Sequence, residues 1–264
     1  MKKRRTTPSP SARFHRMIRT GSLFTGIAGL LFLASFRPDE PAPSPPNFIL
    51  ILADDLGWSS MSSPMDDRIP DSKSDYYETT ALDRLAASGM RFSNGYAPAA
   101  ICSPTRRSIQ FGQTPARQGE ARFKASYQSR MAELFTLPRL LKAVNPRYRT
   151  AHYGKWDLRA DIFPEDLGYD ESDGNTGNKN GDVTFDKDTK WDEYVLHNDP
   201  KRIETLTARS LNFIERQSKS GNPFFLQLSH YATHVDLQAS PETFARFEKK
   251  PGGRVHDIPV FAAM

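Results

Sequence analysis

Short apolar runs alternate with helix-forming segments along this chain, which predicts an α/β fold with a mainly parallel central sheet flanked by helices. Two runs, residues 47–53 (NFILILA) and 224–229 (FFLQLS), are apolar almost throughout rather than at every second position. That is the pattern of strands covered on both faces, as in parallel sheets. The composition agrees, since 38% apolar and 25% charged residues are ordinary for a globular domain.

Residues 37–46 (RPDEPAPSPP) hold five prolines and read as an extended linker. The first strand, 47–53, runs into Asp54-Asp55. Thr79 or Thr80 can cap a helix through Ser88, which Gly89 stops. Residues 90–96 fit a short strand. Pro104 suits the first turn of a helix that begins just after Cys102. A further helix is expected over 131–144, restarted at Pro138, and a weak strand over 149–153 leads to Gly154-Lys155. Asp, Asn, Gly and Lys dominate 171–190, a long loop. A helix over 201–217 is broken by Gly221-Asn222-Pro223, and the strand 224–229 comes next. In parallel sheets, ligands bind beyond the carboxyl ends of the strands. Asp54-Asp55, Lys155 and His234 each come just after an expected strand, so three distant parts of the chain should meet at one sheet edge.

Residues 1–36 carry seven Lys or Arg and no acid, and 21–36 form a sixteen-residue apolar run. A membrane span needs roughly 20 residues. The segment therefore reads as an export signal, with an uncleaved membrane anchor as the alternative. Arg4-Arg5 alone is too little for a twin-arginine signal. An exported protein, periplasmic or secreted, is expected. Without this leader the net charge falls from +5 to −2, which leaves no electrostatic footprint for nucleic acid. The organisation is a leader at 1–36, a linker at 37–46 and one folded domain at 47–264.

Two clusters carry candidate chemistry. Asp54-Asp55 at a strand end offers hard oxygen ligands for Ca²⁺ or Mg²⁺; a solvated acidic turn is the alternative. Cys102, the only cysteine, stands at an expected helix N-terminus, where free N–H groups and the helix dipole favour anions. Arg106 is about one turn further on. A cysteine so placed should be partly ionised and reactive; a buried small residue beside a surface arginine pair is the alternative.

Cys102-Ser103-Pro104-Thr105-Arg106 matches the C-x-P-x-R signature of type I sulfatases. Around it, residues 46–58 (PNFILILADDLGW), 81–96 (ALDRLAASGMRFSNGY) and 108–119 (SIQFGQTPARQG) resemble the same family. Gly154-Lys155-Trp156 resembles its G-K-W motif, and Thr233-His234 a later P-H-x-P element. The likeness runs from about Pro46 to the end of the chain. It implies the alkaline-phosphatase-like α/β fold and a catalytic domain that cleaves sulfate esters. It also implies a maturation enzyme that oxidises Cys102 to the aldehyde formylglycine. One hydroxyl of the hydrated aldehyde attacks sulfur and the other expels sulfate. By the same resemblance Asp54 and Asp55 bind Ca²⁺, or Mg²⁺, together with the residue-102 oxygen. Arg106 steadies the hydrate, Lys155 supplies a point charge to hydrate or sulfate, and His234 protonates the leaving oxygen. The substrate is then a sulfated small molecule or sulfated glycan. His230 reads as structural.

Two departures stand out. The family continues G-K-W-H, with a His that helps collapse the intermediate, and here the position is Asp157. His152 is nearby without a geometric reason to substitute. The chain also closes at 260–264, where the family goes on to a strand carrying further Asp and Asn ligands, so a C-terminally truncated form is expected. The competing readings are a phosphate or phosphonate ester hydrolase with similar metal chemistry, and a noncatalytic module that binds sulfated glycans.

Overall fold

A computed structural model describes residues 44–118, 133–159, 161–181 and 193–264. The expected leader, most of the linker, the start of the helix at 131 and residues 182–190 of the polar loop lie outside the described residues. Pro45–Met264 forms one unit.

Its strands are β1 (Phe48–Leu52), β2 (Arg149–Gly154), β3 (Glu171–Ser172), β4 (Tyr194–Leu196), β5 (Phe224–Ser229) and β6 (Leu237–Ala239). The main helices are α1 (Thr80–Ser88), α2 (Cys102–Phe111), α3 (Leu137–Val144), α4 (Ile203–Ser220), α5 (Pro241–Glu248) and α6 (Pro259–Ala263). The central sheet has the order β1-β5-β2-β3 with every pairing parallel. β4 and β6 form a separate parallel pair.

β5 is central because every one of its residues can be buried, and every one is. Its alternation splits the core in two. Phe225 joins Phe111, Trp156, Leu167 and Tyr169 on one face. Phe224, Leu226 and Leu228 join Tyr153, Leu206 and Phe213 of α4 on the other. α4 runs three residues past the expected Gln217 and stops at the expected breaker, Gly221, in the left-handed region (φ +64°) with its N–H on the Gln217 and Ser218 carbonyls. Its start is later than expected, because Lys201 and Arg202 are also left-handed (φ +53° and +56°) and cannot continue a helix backwards.

Two expectations are corrected. β1 is not covered on both faces: Phe48, Ile49 and Ile51 are 42%, 51% and 54% exposed. It has one strand neighbour, β5, among the described residues, so its apolar run lies at the edge of the described sheet. Residues 90–96 form no strand, and Met90, Phe92 and Tyr96 are exposed. Their alternation is interrupted by a turn at Ser93-Asn94, and no neighbouring strand among the described residues pairs with them.

Strand register sets the position of the polar groups beyond the sheet. Leu52, Ser229 and Gly154 form one row across β1, β5 and β2. The residues after that row, among them Asp54, Lys155 and His230, therefore emerge at the same edge. Gly154 is obligatory there: its φ is +92°, and a Cβ would collide with the Ser229 carbonyl.

Candidate active site

The carboxyl edge of the sheet gathers the residues that the sequence separates by up to 180 positions. Asp54 is tied there by its backbone, its N–H donating to the Ala232 carbonyl (2.8 Å) while its own carbonyl accepts from Thr233 N–H (2.6 Å). Its buried carboxylate receives Lys155 Nζ on Oδ2 and Arg106 Nη2 on Oδ1, the latter at 3.1 Å. Burial pushes the Asp54 carboxyl up, but Arg106 and Lys155 together outweigh it and hold it below its ordinary 3.8.

Cys102 is the first residue of α2, preceded by an extended Ile101 that offers no side-chain cap. The first-turn N–H groups are thus left for another acceptor. The thiol lies 3.2 Å from Lys155 Nζ and 3.6 Å from Asp54 Oδ1. The expected ionisation is corrected: burial raises the Cys102 thiol, and the attraction of Lys155 is countered by Asp54. A raised thiol is a poor nucleophile, so the unmodified side chain is not equipped to attack an ester. Arg106 is not a surface residue. It is 2% exposed and bonds the Asp54 carboxylate and the Lys155 carbonyl. Its geometry aligns Asp54 and Lys155.

Lys155 is fully buried, with its N–H on the Ser229 carbonyl at 2.8 Å. Beyond Asp54 and Cys102 it faces Asp157 Oδ2 at 3.9 Å. Asp157 is itself left-handed (φ +47°) and 9% exposed. Asp55, also left-handed (φ +61°), turns outward, and its side chain is 60% exposed. His234 Nε2 lies 3.8 Å from Asp55 Oδ2. The structure therefore brings together all six expected site residues. His152 is excluded as a stand-in at position 157. It is fully buried on β2, edge-on to Trp156 and Tyr169, and burial pushes it down to about 3. A cavity of about 290 Å³ opens beside Asp54, Asp55, Cys102, Thr105 and Arg106.

Atoms of Asp54, Cys102 and His234 lie within 4.8 Å of one another. With sulfur present, that donor set suits a softer ion than Ca²⁺. An oxygen at position 102 would make the set harder. Ca²⁺ takes roughly six to eight oxygens. The described residues make one side of such a site and not a whole one.

Sequence reasoning does not single out Lys201 or the buried chain Gln110–Gln227–Ser229–His152. That chain links α2 to β5 and β2 through contacts of 2.9, 3.1 and 3.2 Å. A glutamine at the centre of an apolar strand is the one signal for it.

A parallel sheet that focuses a carboxylate, two buried cations and a helix N-terminus on one edge defines an α/β protein built to handle anions. A family model described as Sulfatase matches residues 46–256, and the chain belongs to the sulfatase family. It is 28% identical to N-acetylgalactosamine-6-sulfatase from Sus scrofa, a match covering 87% of this chain and 45% of that protein. It is 27% identical to arylsulfatase G from Rattus norvegicus, covering 86% of this chain and 48% of the other. Among solved structures it superimposes on Ps i-CgsB with a TM-score of 0.60 at 24% identity, over 83% of this chain and 51% of that one. The same protein is also solved with k-i-k-neocarrahexaose. The fold is the alkaline-phosphatase-like α/β fold expected from the sequence. The chain spans about half the length of the curated relatives it matches.

Proposed function

We propose that this chain carries the nucleophile half of a sulfuric ester hydrolase acting through formylglycine made from Cys102. The observation that carries the reading is the placement of residue 102 between a donor and an acceptor, Lys155 Nζ at 3.2 Å and Asp54 Oδ1 at 3.6 Å. A hydroxyl there could accept from the ammonium and donate to the carboxylate. Converted to formylglycine, residue 102 would supply one hydroxyl to attack sulfur and a second to expel sulfate.

The remaining roles belong to this chain's own side chains. Asp54 accepts a hydrogen bond from the hydroxyl of residue 102 and keeps Lys155 pointed at it. Arg106 fixes Asp54 from the other side. Lys155 stabilises negative charge as it develops on the sulfate. His234, on the loop after β5, protonates the departing alcohol oxygen. Asp54 and Asp55 would hold one side of a divalent cation, Ca²⁺ or Mg²⁺, which makes the reacting oxygen more acidic. The described donors alone do not complete its shell. The substrate class is a sulfated small molecule or glycan, in line with the relatives' names. A formylglycine-generating maturation enzyme is the required partner, and the 1–36 leader directs export.

Peptide mass spectrometry of Cys102 from natively exported protein tests this, with aryl sulfate and aryl phosphate turnover measured alongside. A lighter, aldehyde-bearing residue and preference for sulfate are expected. Phosphate preference would favour the phosphoesterase reading. An unmodified Cys102 would leave the noncatalytic, glycan-binding reading.

A further inference from the structure

Cys102, Asp54 and His234 come from the start of α2, the end of β1 and the loop after β5. One ligand atom of each lies within 4.8 Å of the other two. With Zn–S near ~2.3 Å and Zn–O near ~2.1 Å at a tetrahedral angle, sulfur and oxygen ligands stand about 3.6 Å apart. Cys102 Sγ and Asp54 Oδ1 are already 3.6 Å apart. The imidazole, borne on a loop, would close the set by an approach of no more than about 1.5 Å.

The surroundings of the ligands suit a metal. Nδ1 of His234 is held by the Val235 carbonyl. A carbonyl only accepts, so in the neutral ring the proton sits on Nδ1 and Nε2 keeps its lone pair. Ligating imidazoles are oriented in this way, and ligating carboxylates are themselves hydrogen-bonded. Asp54 meets the second condition through Arg106 and Lys155. Asp55 Oδ2, 3.8 Å from His234 Nε2, adds a negative charge beside the ring. The cavity of about 290 Å³ lined by Asp54, Asp55 and Cys102 gives an ion a way in. One sulfur, one nitrogen and one oxygen do not fit a hard cation such as Ca²⁺; they are the donors of Zn²⁺ and its kin.

We propose that Cys102, for as long as it remains a thiol, joins Asp54 and His234 in binding a thiophilic divalent cation of the Zn²⁺ type, with water in the fourth position. Binding replaces the thiol proton by the metal and releases that proton to solvent. Conversion of Cys102 would exchange sulfur for oxygen and turn the same pocket away from that ion. The inference concerns the sulfur-bearing chain and does not require the hydrolase reading. The alternative is a thiol that only hydrogen-bonds Lys155 and Asp54.

The full chain, produced without a maturation enzyme and with its thiol verified by peptide mass, is titrated with CoCl₂ and followed by absorption. The pH is fixed at about 7, because thiolate ligation is pH-dependent. A sulfur-to-cobalt charge-transfer band with intense visible bands marks a tetrahedral thiolate complex. Cys102 is the only cysteine, so no other residue of the chain can give that band. One Co²⁺ per chain is expected, displaced by ZnCl₂ and left in place by an equal concentration of CaCl₂. Cys102→Ser should abolish the band. His234→Ala and His234→Gln, both checked for folding by circular dichroism, should weaken Co²⁺ by at least the about 10–100-fold that loss of an outer-shell partner costs. A wild-type chain without the band overturns the inference. So does a band indifferent to the loss of His234, or one cobalt shared between two chains. Turnover by converted protein with no band from the thiol form would sink this inference and leave the hydrolase reading standing. The band without turnover after conversion would do the reverse.

Discussion

The inner and outer halves of the site are built differently although their residues are neighbours in sequence. Asp54 and Asp55 are adjacent, yet one carboxylate is buried between two cations and the other is largely in water. In the inner half, Asp54 and Lys155 follow rows fixed by strand register, and Cys102 and Arg106 on α2 meet them there. The outer half, Asp55 with His234, is a loop pair 3.8 Å apart. Charges of the first kind are interdependent, because each compensates a neighbour that water cannot reach. Charges of the second kind are screened, and such pairs are worth roughly 0–1 kcal/mol. The inner half should therefore behave as part of the fold, and the outer half as an adjustable appendage to it.

Substitution of the two aspartates separates the halves most sharply. Asp54→Asn leaves Lys155 and Arg106 buried without their carboxylate, and breaking such a cluster costs about 3–5 kcal/mol. Asp55→Asn removes an exposed charge and should change stability by no more than about 0.5 kcal/mol. Both should abolish turnover if both hold the cation. Urea unfolding of the two variants reads the difference, and equal stabilities would erase the distinction between the halves.

Acid probes the inner half without mutation. His152 lies beneath it, buried and neutral, with its folded value down near 3 against an ordinary 6.5. A depressed histidine contributes stability that is intact above the unfolded value and lost as pH falls from there toward the folded one. Unfolding free energy should thus decline below about 6.5 by about 1.4 kcal/mol per pH unit from His152 alone, and His230, also pushed down by burial, adds to that decline. Asp54, held below 3.8, gives a further loss only beneath that pH. His152→Gln should flatten the slope between about pH 6 and 4. A slope that persists in the variant would assign the acid sensitivity elsewhere.

The inner half is also the more legible one. Strand ends near 53, 153 and 229 can be read from apolar runs and glycine, and a parallel sheet then forces the residues beyond them together. Cys102 can be placed on a helix start from Pro104. What the runs do not show is which strand lies at an edge, so the pattern of β1 suggests a covered strand although three of its residues are exposed. Nor can spacing rank opposing fields, and in place of the expected thiolate stands a thiol raised by burial and by Asp54. Lys201 leaves no sequence signal at all, since its position depends on a left-handed backbone held by Gln238.

Asp157 lies at the border of the two halves and offers the finest test. Its Oδ2 has no hydrogen-bond partner among the described residues and faces Lys155 at 3.9 Å, while Oδ1 faces the exposed Arg159 at 3.5 Å. The family's histidine at this place can take a proton and return it within one turnover, because imidazole titrates near neutral pH. A carboxylate, which ordinarily titrates well below neutral pH, is a weaker shuttle for the step in which sulfate leaves. Histidine is among the side chains that tolerate a left-handed backbone, so Asp157→His should fold with little loss. On the hydrolase reading, turnover is limited at sulfate release. The variant should then raise kcat by about tenfold or more, within the range of a well-placed acid–base group, and leave sulfate affinity nearly unchanged. A kcat that stays the same or falls would show that Asp157 already performs the proton transfer, and would attach this residue to the inner half, whose charges cannot be exchanged one at a time.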